Sequence, residues 1–186
     1  MKRVYQKDYS DWPEYYYQYQ LTLAKEHYIP YLINNDVSLS NISIIDVGCG
    51  NGGFISAFPD TSNKTGIEIK EFPWKDLKNS TFQVHNVLTQ DNSKFIKKYD
   101  LVIIRDVIEH IDLKYKEVFI DTIKSFLKEN GKILVTFPPY FSPFGLHQQV
   151  LMKSFLKKIP FLSILPFSFI RILCLLFENK ETLKHL

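Results

Sequence analysis

Cysteine is scarce in this sequence. Cys49 and Cys174 are its only two, too few for a disulfide framework and without the spacing of a metal site. That usage suits a chain kept in a reducing, cytoplasmic compartment. A long apolar run is also missing. Ile159 to Ile170 carries no charge, but Pro160 and Pro166 interrupt it, and Arg171 precedes a second apolar run, Ile172 to Phe177. A bilayer span needs about 18 or more apolar residues, so no transmembrane helix is predicted. A peripheral contact of residues 150–177 with a membrane or a protein partner stays open. The opening MKRVYQKDYSDW has early positive charge without the apolar stretch of a signal peptide. Charge of one sign is lacking too: 23 Lys and Arg face 20 Asp and Glu, for a net +3, and the lysines are dispersed. Nucleic acid is therefore not expected as a partner. The sequence contains no internal repeat and no low-complexity tract.

What remains is globular composition, 45% hydrophobic and 23% charged, in a chain long enough to bury a core. Ser10-Asp11-Trp12-Pro13-Glu14 reads as a helix start, with a capping side chain, an early proline and an acidic first turn. The helix is predicted to run to about Asn34 with Tyr17, Leu21, Ala24, Tyr28 and Leu32 on one stripe. Eight tyrosines precede residue 32, and their phenols suit the rim of a core. After Ser40 the pattern alternates. Strands are predicted at Ile42–Val47, Thr65–Ile69, Thr81–His85, Asp100–Arg105 and Lys132–Phe137. A short helix is predicted over Gly53–Phe58. A longer one over Asp112–Lys128 would end at Asn130-Gly131. Alternation of this kind implies an α/β fold, a doubly wound parallel sheet in three layers, α/β/α. Residues 1–149 are read as that core. Residues 150–186 are read as an apolar helical extension, a lid or a remnant rather than an independent domain.

The chain has seven glycines, and four of them, Gly48, Gly50, Gly52 and Gly53, fall within six positions after an apolar strand. Glycine is costly in regular structure, so the cluster marks backbone brought close to a ligand. In an open parallel sheet that position binds a nucleoside-type cofactor at the carboxyl ends of the strands. The spacing Gly48-x-Gly50-x-x-Gly53, with Glu68 following, satisfies a dinucleotide fingerprint. Gly48-x-Gly50-x-Gly52 fits an S-adenosylmethionine loop equally well. Asp46 separates them: a carboxylate inside the strand is badly placed beside a pyrophosphate and well placed to orient an ammonium group. The helix before the glycine strand and the pair DLVIIRDVIEHI and GKILVTFPPY point the same way.

On these residues the chain resembles the class I S-adenosylmethionine-dependent methyltransferases, in particular small-molecule enzymes with a D-x-GCG-x-G loop and an EH pair after the fourth strand. The resemblance covers about residues 12–147. It implies a Rossmann-like fold and S-adenosylmethionine as cofactor. The loop Asp46, Gly48, Cys49, Gly50 and Gly52 would hold the methionine and ribose. Glu68, with Ile69 beside it, would take the ribose hydroxyls, Asn86 and Val87 the adenine, and Arg105 and Asp106 would border the methionine end. Asn86 stands where the family usually has Asp. The family also adds two antiparallel strands after the fifth; nothing past Phe137 reads as either, which implies a fold without its final hairpin and with one sheet edge open.

The implied reaction is in-line displacement of a methyl group by a small-molecule or lipid-like acceptor. Alignment of the reactants is worth about 7–11 kcal/mol, more than the roughly 10²–10⁴-fold of a general base. His147, in the loop Phe144–Gln149, and His110 are the candidate bases. Tyr140, in the Pro-rich aromatic loop after the fifth strand, is a candidate for the acceptor pocket. Two rivals stay open: an NAD(P)-dependent oxidoreductase, which lacks here a Tyr-x-x-x-Lys pair after the fourth strand, and a non-catalytic cofactor-binding domain acting through a partner.

Overall fold

The alternation becomes a five-stranded, all-parallel sheet of β1 (Ser43–Val47), β2 (Asn63–Glu68), β3 (Ser80–Val84), β4 (Tyr99–Arg105) and β5 (Leu127–Thr136), in the order β3-β2-β1-β4-β5. These elements come from a computed structural model that describes residues 4–146 and 148–178. The chain forms two compact units, Met1–Phe137 and Pro138–Leu186. Residues 138–149, grouped with the α/β core from sequence, belong to the second.

Successive strand side chains point to opposite faces, and both faces are buried as a parallel sheet requires. On one face Ile45, Val47, Ile67, Val102 and Ile104 pack against Phe119 and Ile123 of α3 (Leu113–Ser125) and against Phe126. On the other, Ile44, Leu101, Ile103 and Leu134 meet Ala24, Leu32, Phe54 and Phe58. Each fully buried side chain of this size contributes about 1.5–3 kcal/mol.

The amino-terminal helix begins as its sequence dictates. The Asp11 carboxylate accepts the Glu14 backbone N–H at 2.8 Å, and Pro13 sits in the first turn. Tyr17, Ala24 and Leu32 of the predicted stripe are buried. The helix is not uniform, however. α1 (Trp12–Leu23) and α2 (Ile29–Asn34) are joined by a π-helical turn, Ala24–Tyr28. Pro30 explains it: it has no N–H for the preceding turn, and a widened turn absorbs the lost bond and the bulk of the ring.

Three expectations are corrected. The helix at Gly53–Phe58 is only a 3₁₀ turn, Ile55–Ala57, because the glycine loop takes residues 48–53 of the link from β1 to β2 and Pro59 stops the helix one turn later. Among the described residues only the β4–β5 link carries an α-helix. The helix predicted to reach Lys128 stops at Ser125, and Leu127 already pairs with Tyr99 before the register skips to Leu101 with Lys132. Gly131 is therefore not a helix cap. A Cβ there would press on the Leu127 side chain and the Tyr99 carbonyl oxygen, so glycine lets the irregular strand pass close to β4.

In the second unit α4 (Gln148–Leu151), two 3₁₀ turns (Phe155–Lys158 and Leu162–Ile164) and α5 (Phe167–Phe177) surround a small core of Leu146, Met152, Leu156, Leu162, Ile170 and Cys174. The buried Gln148 amide donates to the carbonyls of Pro143 and Ile159 at 3.3 and 3.1 Å. The Glu178 carboxylate accepts the Lys153 and Ser154 N–H groups, each at 2.9 Å. No strand follows β5 among the described residues.

The sheet core yields a direct test. Ile103 is fully buried at the centre of β4, whereas Leu113 at the start of α3 is 85% exposed. Ile103→Ala is expected to cost about 2–5 kcal/mol in chemical denaturation, and Leu113→Ala less than about 0.5 kcal/mol. Equal losses would contradict the burial described.

Candidate functional site

The strand order reverses between β1 and β4, where an open parallel sheet forms a crevice at its carboxyl edge. A cavity of about 450 Å³ lies there. Its walls come from the ends of all four strands β1 to β4: Val47 to Gly50, Ile67 to Lys70, His85 to Leu88 and Arg105 to Val107, with Tyr16, Phe72, His110, Ile111 and Phe119.

The glycine loop shapes the floor. Gly48, Gly50 and Gly52 all have positive φ, +78°, +54° and +78°, a region that L side chains avoid. Gly48 and Cys49 both donate their N–H to the Ile67 carbonyl, at 2.9 and 3.2 Å. A Cβ at Gly48 would be driven into the Val107 side chain. Neighbouring segments hold the loop in place. The Asn51 amide donates to the Pro13 carbonyl at 3.0 Å, and the Trp74 indole N–H donates to the Gly50 carbonyl at 2.8 Å. The Trp74 ring stacks on Phe82 with centroids 5.7 Å apart.

Asp46, Glu68 and Arg105 share the sheet face opposite α3, since Ile45, Ile67 and Ile104, one position before each, all point to the α3 face. Asp46 is 2% exposed. Burial pushes its carboxyl up to about 7; the Arg105 charge opposes this and the Glu68 charge adds to it. Arg105 cannot cancel the effect of burial, because its guanidinium also pairs with Asp106 at 3.0 Å and lies over the Phe54 ring at 4.8 Å. Burial, then Asp46 and Glu68, pushes the Cys49 thiol up as well, which keeps it protonated and inert.

The predicted cofactor-side residues converge here. Asp46 lies behind the floor, and Gly48, Cys49, Gly50, Glu68, Ile69, Asn86, Val87, Arg105 and Asp106 line the cavity, while Gly52 turns the loop below it. The Glu68 carboxylate accepts its neighbour Ile69 N–H at 2.6 Å. The Asn86 side-chain oxygen accepts the Leu88 N–H at 3.0 Å, which leaves its NH₂ to donate. Asp106, at φ +55°, accepts from the Thr136 hydroxyl at 3.2 Å. Of the predicted catalytic residues, His110 is at the cavity, on the 3₁₀ turn Ile108–His110 after β4. Tyr140 belongs to the second unit, where its ring meets Phe141 edge-on at 5.1 Å. His147 lies outside the described residues.

Sequence reasoning missed Tyr16 and the apolar wall of Leu88, Ile111 and Phe119. Tyr16 stands next to the buried Tyr17, so its neighbour's place on the helix stripe was the available signal. The set as a whole suits a nucleoside ligand: an acid at a strand end for a diol, an amide and apolar walls for a base, and a buried acid with a guanidinium for an ammonium and a carboxylate.

The state of Asp46 gives a pH test. Its folded value, about 7, lies above the unfolded value near 3.9. Between about pH 4 and 7 the native chain holds a proton that the unfolded chain has lost, so this contribution is complete below that window and falls as pH rises through it. Urea midpoints of the ligand-free chain are expected to show Asp46→Asn gaining on the parent from pH 4.5 to 7.5. A difference independent of pH would contradict the buried, raised carboxyl.

The family profile described as Methyltransferase domain matches residues 17–165. A ubiquinone biosynthesis O-methyltransferase of Pelagibacter ubique (strain HTCC1062) is 29% identical over 112 residues, 55% of this chain and 44% of that protein. The chain thus spans under half the length of that relative. Among solved structures, a S-adenosylmethionine-dependent methyltransferase from Clostridium acetobutylicum ATCC 824 has a TM-score of 0.53 at 16% identity, with 74% of this chain and 56% of that one covered. The PH0226 protein of Pyrococcus horikoshii OT3 has a TM-score of 0.53 at 21% identity, with 72% and 66% covered. At such identities the two structures speak to the fold, and the profile, which runs through most of the chain, speaks to the family. The chain therefore belongs to the methyltransferase domain family.

Proposed function

We propose that the chain holds S-adenosylmethionine in the cavity at the β1–β4 switch point and transfers its methyl group to a small-molecule acceptor. The observation that carries this reading is the buried Asp46 beside Arg105, directly beneath a loop of positive-φ glycines. In it, Asp46 and Arg105 take the charged methionine end, Gly48, Cys49 and Gly50 give way to the cofactor body, and Gly52 completes the turn. Glu68 and Ile69 meet the ribose, and Asn86 and Val87 meet the adenine. When bound, S-adenosylmethionine supplies an electrophilic methyl on a sulfonium.

The residues then have two tasks. The first is alignment, which the rigid strand ends supply and which dominates the rate. The second is removal of a proton where the acceptor has one to lose. His110 fills that role as a base at the cavity, its turn fixed by the His110 N–H donating to the Val107 carbonyl at 2.9 Å. The cofactor would supply the methyl group to an acceptor aligned at the cavity, and the His110 imidazole would take the proton that the acceptor loses. The name of the Pelagibacter relative, an O-methyltransferase of ubiquinone biosynthesis, supports an oxygen acceptor of lipid-like character. Two free, buried cysteines support a reducing, cytoplasmic setting. No helix among the described residues is long and apolar enough to cross a membrane.

The test is methyl transfer itself. Purified chain is incubated with methyl-labelled S-adenosylmethionine and panels of phenols, lipid quinols, amines and thiols. Label is expected in the phenol or quinol product. His110→Gln is expected to lower kcat by about 10²-fold or more at neutral pH, with S-adenosylhomocysteine affinity held within about threefold. Full activity in His110→Gln would remove the base from the proposal, and label in none of the panels would remove the acceptor class.

A further inference from the structure

The second unit carries a surface that the methyl-transfer reading does not use. Residues 138–177 contain four Lys and Arg and no Asp or Glu. All of the chain's net positive charge comes from its last 49 residues, with six bases against two acids, whereas the first 137 residues carry 17 against 18. The ion pairs among the described residues all lie in the first unit, so among those residues Lys158 and Arg171 pair with no acid.

The apolar side chains around those cations face outward. Ile170 and Cys174 bury one stripe of α5 in the small core. Its other faces are apolar too: Phe169, Ile172, Leu175 and Leu176 are 48–69% exposed. Phe161 and Ile164, on the turn before it, are 46% and 61% exposed. A water-facing helix normally turns polar residues outward. Phe161 also sits at φ +61°, an uncommon conformation for a bulky residue, secured by its N–H on the Pro143 carbonyl at 2.7 Å.

We infer that α5 and the Phe161–Ile164 turn form an interfacial surface that docks on an anionic lipid bilayer. Apolar side chains enter the boundary between headgroups and acyl chains, while Lys153, Lys158 and Arg171 meet lipid phosphates. Charge selects lipid over a second copy of the chain: isologous pairing would set Lys158 and Arg171 against their own copies, and the acid at the end of α5, Glu178, is already engaged by the Lys153 and Ser154 N–H groups. The inference stands apart from the methyl-transfer reading and survives if the chain proves inactive.

The test is sedimentation of the full chain with vesicles of phosphatidylcholine alone or mixed with phosphatidylglycerol. Binding is expected to the mixed vesicles, weakening as salt rises from about 0.1 to 0.5 M. Lys158→Gln and Arg171→Gln are each expected to weaken it by about fivefold. The triple change Ile172→Gln, Leu175→Gln, Leu176→Gln, all at exposed positions, is expected to weaken it at least tenfold with an unchanged circular dichroism spectrum. A Phe169→Trp reporter is expected to shift its emission to the blue only on adding mixed vesicles. A chain that ignores both vesicle types overturns the inference. So does a reporter already blue-shifted without lipid, whether by self-association or by cover from within the chain, or binding that the triple change leaves intact.

Discussion

Gly48 leaves β1 at a φ of +78° with no room for a side chain against Val107, and this close approach governs the ligand end of the sheet. Because the two segments touch, the ends of β1 and β4 meet where the strand order reverses, and the chain after each is thrown outward around a cavity. The Ile67 carbonyl, shared by the N–H groups of Gly48 and Cys49, ties the same turn to β2. Side chains elsewhere reinforce the arrangement: Asn51 fastens the loop to the start of α1, and Trp74 fastens it to the β2–β3 link. That link has no helix, and the indole's hydrogen bond and its stacking on Phe82 supply part of the cover that a crossover helix would give.

Beneath the loop the balance of two electrostatic effects is informative. Desolvation of Asp46 outweighs the attraction of Arg105, and the carboxyl is held near 7 rather than at the low value of a buried ion pair. A sheet built for stability alone would place an apolar residue there, as it does at Ile44 and Ile103 on the same face. An acid kept close to its neutral–charged balance costs the empty chain stability and gains meaning if a cationic group enters the cavity.

Much of this was legible in the sequence because it rests on local rules. β1, β4 and the second half of β5 carry apolar runs, and Asp11 with Pro13 announces the first helix. The four clustered glycines and Asp46 marked the strand end where the fold brings residues 46 to 106 together around a cavity. What was not legible depends on contacts across the fold. Gly131 looks like a helix cap until Tyr99 and Leu127 are seen beside it. The π-helical turn answers to Pro30 one turn later. Tyr16 and Tyr17 are the same residue type one position apart, yet one lines the cavity and the other is buried in the core. Composition cannot separate them; only the rotation of the helix over the sheet does.

The central claim is that this cavity is built for a nucleoside with a charged amino-acid end. Calorimetric titration of the chain with S-adenosylhomocysteine, with NAD⁺ in a parallel cell, tests it most directly. Expected is saturable binding of S-adenosylhomocysteine that strengthens from pH 6 to 8 as Asp46 loses its proton, is lost in the Asp46→Ala, Glu68→Ala double variant, and has no counterpart with NAD⁺. Binding of NAD⁺ alone, or S-adenosylhomocysteine binding that the double variant retains, would contradict it.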